Sequence, residues 1–102
     1  MDTQGSDRLR RLVREHRREI LEAAARHGAR DVRLFGSAAR GEADESSDVD
    51  FLVAFDDNVG LFDHVGLILE LESLLGVRVD VANQVALQPA IREQVLREAV
   101  PV

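Results

Sequence analysis

The run Leu34-Phe35-Gly36-Ser37-Ala38-Ala39-Arg40-Gly41-Glu42, continued by Ser46-Ser47-Asp48-Val49-Asp50-Phe51-Leu52-Val53, decides the reading of this chain. It has the pattern of a catalytic loop set between two strands. Two carboxylates one residue apart open an apolar strand, and a Gly-Ser pair precedes them with ten residues between, Ala38 to Ser47. On a strand, residues i and i+2 share a face and lie about 6.5 to 7 Å apart, so Asp48 and Asp50 can jointly hold metal ions there. That separation fits a dimetal site for phosphoryl-type transfer, whose ions stand about 3.5 to 4 Å apart.

The strands follow from alternation. Residues 30 to 36 are expected as a first strand, with Val32 and Leu34 on one face and Arg33 and Phe35 on the other; Gly36 ends it. Ser37 to Arg40 is compatible with a short helix, whose first N–H groups after a Gly turn suit phosphate. Glu42 to Ser47 is polar and reads as a loop. Asp48 to Phe55 is the second strand, with Leu52 and Ala54 beyond the acids and Val49, Phe51, Val53 and Phe55 on the other face. Apolar residues on both faces make it a central strand.

Downstream, Asp56 to Asn58 turns the chain into a helix, Leu61 to Leu75, closed by Gly76. Its apolar positions sweep an arc of about 240°, wider than one core needs. The surplus at Phe62, Val65 and Leu69 either lies under another element or meets a partner. His64 reads as a packing residue. Val77 to Val81 is the third strand, its valines on one face and Arg78 and Asp80 on the other. An acid in mid-strand breaks a local rule, which points to function; the plainer reading is an edge acid paired with Arg78 or another arginine. Gln88-Pro89 starts a last helix, with Pro at its first position and Ile91, Val95 and Ala99 inward.

Upstream, residues 1 to 5 are expected to fray. Ser6 or Asp7 then caps one long amphipathic helix through Leu9, Leu12, Val13, Ile20, Ala23 and Ala24, closed by Gly28. Its outer face carries Arg8, Arg10, Arg11, Arg14, Arg17 and Arg18. We read that face as solvated, supported by pairs such as Arg11 with Glu15 and Glu15 with Arg18, and His16 and His27 as packed or rim residues.

The whole chain has 102 residues, 45% of them hydrophobic, which is expected to give one domain spanning 1–102 with a single core. No run is long and apolar enough for a membrane span, and the start is Arg-rich rather than a signal core, so a soluble cytoplasmic protein is expected. There is no cysteine, so any metal is held by oxygen or imidazole. The net charge of −6 hides an asymmetry: residues 1–30 carry a net +3 and residues 31–102 a net −9. An acidic half argues against a large nucleic-acid footprint there.

The expected element order is α-β-α-β-α-β-α, an α+β fold with a three-stranded mixed sheet and flanking helices. It brings Asp48, Asp50 and Asp80 to adjacent strands. Like charges that close favour divalent cations, and oxygen ligands point to Mg²⁺ or Mn²⁺, two ions in all. One ion would activate an attacking hydroxyl and the other clamp a nucleoside triphosphate. Gly36 and Ser37 would hold the phosphates through backbone N–H groups and the hydroxyl.

Gly36-Ser37, ten residues, then Asp48-x-Asp50 with a later strand Asp80, resembles the nucleotidyltransferases of the DNA polymerase beta type. Phe35 to Glu42 and the short length are similar to the minimal nucleotidyltransferase branch. The resemblance implies an antitoxin that transfers AMP from ATP to a tyrosine of a helical HEPN ribonuclease toxin. It also implies that Asp48 and Asp50 bind the metals, that Asp80 completes one metal site and assists deprotonation of the acceptor, and that Arg40 reaches phosphate. Two other readings stand beside it: a module that neutralises a toxin by contact alone, and a transferase acting on RNA ends or a small-molecule hydroxyl. Larger relatives grip the acceptor with another domain, for which this length leaves no room, so a partner's own surface is expected to help. Self-association is left open.

Overall fold

The computed structural model describes residues 4–44 and 46–102. Its elements are α1 (Gln4–Glu15), α2 (Arg17–Arg26), β1 (Ala29–Phe35), α3 (Gly36–Arg40), β2 (Val49–Phe55), α4 (Leu61–Leu75), β3 (Val79–Asn83), a single 3-10 turn (Gln84–Ala86), α5 (Pro89–Glu98) and β4 (Val100–Pro101). The strands form one mixed sheet in the order β3-β2-β1-β4. β1 runs antiparallel to β2 and β4, and β2 runs parallel to β3, with α4 as the crossover.

The α+β class and the central place of β2 are as expected, and every residue of β2 except Asp50 is buried. One face of the sheet, with Leu34, Val49, Phe51, Val53, Val79 and Val81, packs with Ile20 and Ala23 of α2 and Leu67, Leu71 and Leu75 of α4. Leu52 is fully buried but stands outside that cluster, on the opposite face. The 3-10 turn and Arg33, whose guanidinium donates to the Gln84 side-chain oxygen at 2.9 Å, serve that second face.

The sheet has a fourth strand, where three were expected. Two residues cannot show an alternation, and Val100–Pro101 acquires strand character only by lying against Arg33 and Leu34. Its edge position tolerates a proline that cannot donate to a ladder. β3 is displaced two residues towards the C-terminus of the expected Val77–Val81, because pairing with β2 sets its bounds.

The first helix is two helices. His16 leaves helical geometry at φ −109°, ψ 17°. Its Nδ1–H donates to the Leu12 carbonyl at 2.9 Å, and its backbone N–H is shared between Leu12 and Val13 at 3.2 Å each. A side chain inserted into the carbonyl ladder bends a helix. Arg18, expected to pair with Glu15, pairs with Glu22 at 3.2 Å. The expected fraying of residues 1 to 5 falls partly outside the described residues; Gln4 and Gly5 are helical. Ser6 is fully buried and no cap: its hydroxyl accepts from the Ala43 N–H at 2.8 Å, fastening α1 to the loop after α3.

His16, His27 and His64 are half-buried, as read from their stripes. His64 donates to the Val81 carbonyl at 2.7 Å and packs on Phe55 at 5.1 Å. The inward reading of α5 is corrected: Ile91 is 51% exposed, and the helix buries no residue.

Phe51 is fully buried between the sheet and its helices. Phe51→Ala is expected to lower unfolding stability by about 3 to 5 kcal/mol, and Phe62→Ala, at a 96% exposed position, by less than about 0.5 kcal/mol. Urea titration followed by circular dichroism measures both.

Candidate active site

The three predicted acids meet at one end of the sheet. The parallel register pairs Asp50 with Asp80, and the antiparallel register pairs Asp50 with Phe35, the residue before Gly36. Paired residues project to the same face, so β1, β2 and β3 contribute Phe35, Asp50 and Asp80 to one row. Asp48 lies just before β2 and Ser37 just after Gly36, at the same end.

Gly36 starts α3 with φ +74°, a left-handed conformation that suits glycine. A Cβ built there would collide with the Asp50 carboxylate, its carbon at 3.0 Å. The Gly-Ser turn is thus pressed against the middle acid, which the sequence spacing alone does not reveal. Gly41 ends α3 in the left-handed conformation. Arg10 steadies the turn from below: its Nε donates to the Ala38 carbonyl at 2.9 Å and a terminal nitrogen to the Ala39 carbonyl. Arg10 was read as part of a solvated arginine face. It is half-buried because α1 packs on α3 and brings it to the last α3 carbonyls.

The loop into β2 is ordered by its own polar groups. Asp44 Oδ1 accepts from the Ser46 N–H at 2.9 Å and from the Ser46 hydroxyl at 2.7 Å, which lowers the Asp44 pKa. The Ser47 hydroxyl accepts from the Asp44 N–H at 2.9 Å. Glu45, within the expected loop, lies outside the described residues.

Asp50 is half-buried and its carboxyl is raised above the ordinary value, first by burial, then by the charges of Asp80 and Asp48, with Arg40 opposing. Asp80 and Asp48 therefore act on Asp50 through space. Their oxygens suit a hard divalent cation. Yet among the described residues no group of three or more His, Cys, Asp or Glu side chains is placed to hold an ion. The outer two acids have partners of their own: Asp48 Oδ1 lies 3.2 Å from Arg78 Nε, and Asp80 Oδ1 accepts from the Val81 N–H at 3.0 Å. The plainer reading of Asp80 paired it with Arg78 or another arginine. The structure gives Arg78 to Asp48, because the Val49 N–H binds the Arg78 carbonyl at 2.9 Å and sets Arg78 beside the start of β2.

Arg40, expected near phosphate, lies at the exposed rim. Its Nε is 3.0 Å from Glu42 and a terminal nitrogen 3.6 Å from Glu98 of α5. The bond to Glu42 is the main cause of its raised pKa. Glu98 gave no sign in the sequence, since its role depends on α5 packing beside α3. Cavities of about 310 and 320 Å³ lie elsewhere, the first along α1 and the end of α4, the second beside His64 and Val85; none of the three acids lines either.

Comparison with known proteins gives three concordant findings. The profile of a family described as "Nucleotidyltransferase domain" matches residues 13–102. The protein adenylyltransferase MntA of Thermococcus cleftensis is 41% identical over 96 residues, covering 94% of this chain and 94% of that protein. Among solved structures, one described as a proposed minimal nucleotidyltransferase superposes with a TM-score of 0.82 at 52% identity, covering 100% of this chain and 97% of the other. A toxin–antitoxin crystal structure with AMP-PNP has the same fold, at a TM-score of 0.70 and 22% identity over 82% of this chain and 69% of that one.

Gly36→Ala is expected to destabilise the fold by about 1 to 2 kcal/mol through the left-handed backbone alone, with further loss from the Asp50 contact; thermal melts measure it. A raised carboxyl pKa means that the folded state binds the proton more tightly. Its stabilising effect is full below the unfolded carboxylate value, about 3.9, and is lost as pH rises through the raised folded value. In chelator-treated buffer, Asp50→Asn is therefore expected to be more stable than the parent chain at pH 7, with the advantage shrinking on acidification. Denaturation at a series of pH values reads this, and a pH-independent difference would contradict the assigned cause.

Proposed function

Because this chain belongs to the nucleotidyltransferase domain family, we propose that it transfers AMP from ATP to a hydroxyl of a partner HEPN-type toxin, a tyrosine in particular, and so acts as an antitoxin. The observation that carries the proposal is the placement of Asp50 opposite Asp80, with Asp48 at the head of the same strand and Gly36 against the Asp50 carboxylate. The likeness to the adenylyltransferase MntA supports the choice of AMP and of a protein acceptor.

In this reading Asp48, Asp50 and Asp80 hold two divalent cations, Mg²⁺ or Mn²⁺. Bound there, such ions would polarise the acceptor hydroxyl and neutralise charge on the triphosphate. The oxygen-only donor set fits them, and the charges of Asp80 and Asp48 add to burial in raising the Asp50 carboxyl. Gly36 and Ser37 cradle the triphosphate, and Arg40 neutralises its outer oxygens once it leaves Glu42 or Glu98. The acceptor oxygen bonds to the α-phosphorus, the bond from that phosphorus to the bridging oxygen breaks, and pyrophosphate leaves. Asp80 takes the acceptor proton in this reading; it is exposed, whereas Asp50 beside it is half-buried.

The acceptor's own surface completes recognition in this proposal. Leu61, Phe62, Val65 and Leu69 of α4 are exposed, by 96% at Phe62, and offer it an apolar stripe. Two arginines of the face read as solvated are engaged within the chain: Arg10 of α1 is bound to α3, and Arg17 of α2 donates to the Val102 carbonyl at 2.8 Å. We place the protein in the cytoplasm, where ATP and such a partner meet; no helix among the described residues is long and apolar enough to cross a membrane.

The test is incubation with α-labelled ATP, Mg²⁺ and the helical protein encoded next to this chain. Label is expected on that protein with the parent chain and to fall at least about 100-fold with Asp48→Ala/Asp50→Ala, in line with removal of metal-held transition-state stabilisation. Equal labelling by both would sink the proposal. Loss of label in Asp80→Asn with undiminished protection against the toxin would favour neutralisation by contact.

A further inference from the structure

Among the described residues, Arg78 is the one cation paired with a member of the acid trio. Its Nε is 3.2 Å from Asp48 Oδ1, while the Arg40 side chain is held by Glu42 and Glu98. Both members of the pair are open to solvent, Arg78 80% and Asp48 48% exposed in their side chains. The pair is fixed at its root by the backbone bond from the Val49 N–H to the Arg78 carbonyl, which ties the residue after Asp48 to Arg78. Each partner therefore meets the other with little freedom of the main chain. The Asp50 carboxylate, between the two outer acids, has no hydrogen bond or ion pair among the described residues and takes the repulsion of both.

We infer that Arg78 and a divalent cation compete for the Asp48 carboxylate, so that Arg78 is a positioning residue that sets the affinity of the acid trio for its ion. This rests on the carboxylate site proposed above. A guanidinium beside one carboxylate oxygen offsets the negative charge that attracts a cation and crowds that oxygen, while the second oxygen stays open. An ion that takes Asp48 Oδ1 displaces Arg78 from it. The neighbouring exchange at Asp80 is easier, since its partner is a neutral backbone N–H from the next residue. The pair is exposed and its strength correspondingly modest, so its effect is a graded one on affinity rather than a block.

The experiment is Mn²⁺ binding to the full chain without nucleotide, followed by electron paramagnetic resonance, for the parent, Arg78→Ala, Arg78→Lys and Asp50→Asn forms. Arg78→Ala is expected to bind Mn²⁺ about two- to fivefold more tightly than the parent, the range that an exposed ion pair allows. Arg78→Lys restores the cation and is expected near the parent. The gap between parent and Arg78→Ala is expected to close in high salt, where the exposed pair is screened. If Arg78→Ala binds equally or more weakly while Asp50→Asn loses the ion, the competition is overturned and the carboxylate site stands. If none of the forms binds Mn²⁺, or Asp50→Asn binds it as well as the parent, the site itself fails and the competition with it. Circular dichroism of each form establishes that the change is local.

Discussion

The register of one parallel strand pair sets the constraint around which this molecule is arranged. With Asp50 opposite Asp80 and Asp48 at the head of the same strand, negative charge is concentrated at one end of a sheet whose β2 is apolar and buried beyond Asp50. A shift of one residue in β3 would turn its valines away from the core and its acid into it. Burying Val79 and Val81 against α4 thus fixes where Asp80 stands. The hydrophobic face and the acidic row are two consequences of one alignment.

Charge at such density needs counterparts, and the surrounding elements supply them unevenly. Arg78 meets Asp48 directly, the Val81 N–H meets Asp80, and Asp50 is left against Gly36 with a raised pKa. Arg40 acts on Asp50 only at a distance, held back by Glu42 and by Glu98 from α5. For the proposed transferase, activation is an exchange of partners in which the charged groups of the chain yield to those of cation and triphosphate.

The two faces of the sheet divide the tasks. α2 and α4 cover the face of Phe51, while the acids lie on the face of Leu52. The exposed stripe of α4 starts at Leu61, just past the C-terminal end of β2, whereas the acids open its N-terminal end. A partner held on that stripe would therefore be held apart from the carboxylates, and docking and chemistry would be separate functions of the surface.

Sequence by itself determined the α+β class, the central strand, read as Asp48 to Phe55 and formed by Val49–Phe55, the helix Leu61–Leu75 and the candidate acids with their Gly-Ser turn. These rest on period-2 and helical alternation, turn residues and spacing, which are local properties of the chain. The tertiary structure decided the break at His16, the strand Val100–Pro101, the burial of Ser6 and Arg10, and the pairing of Arg78 with Asp48 in place of Asp80. Each depends on a group meeting another through the fold: Ser6 with Ala43, Arg10 with Ala38, Val100 with Leu34, Asp48 with Arg78. The break at His16 is the exception in distance, since its bond to Leu12 is local, but whether an imidazole turns back onto its own helix is decided by what packs around it. Long polar side chains reach several partners at similar energies, and only the assembled backbone selects among them.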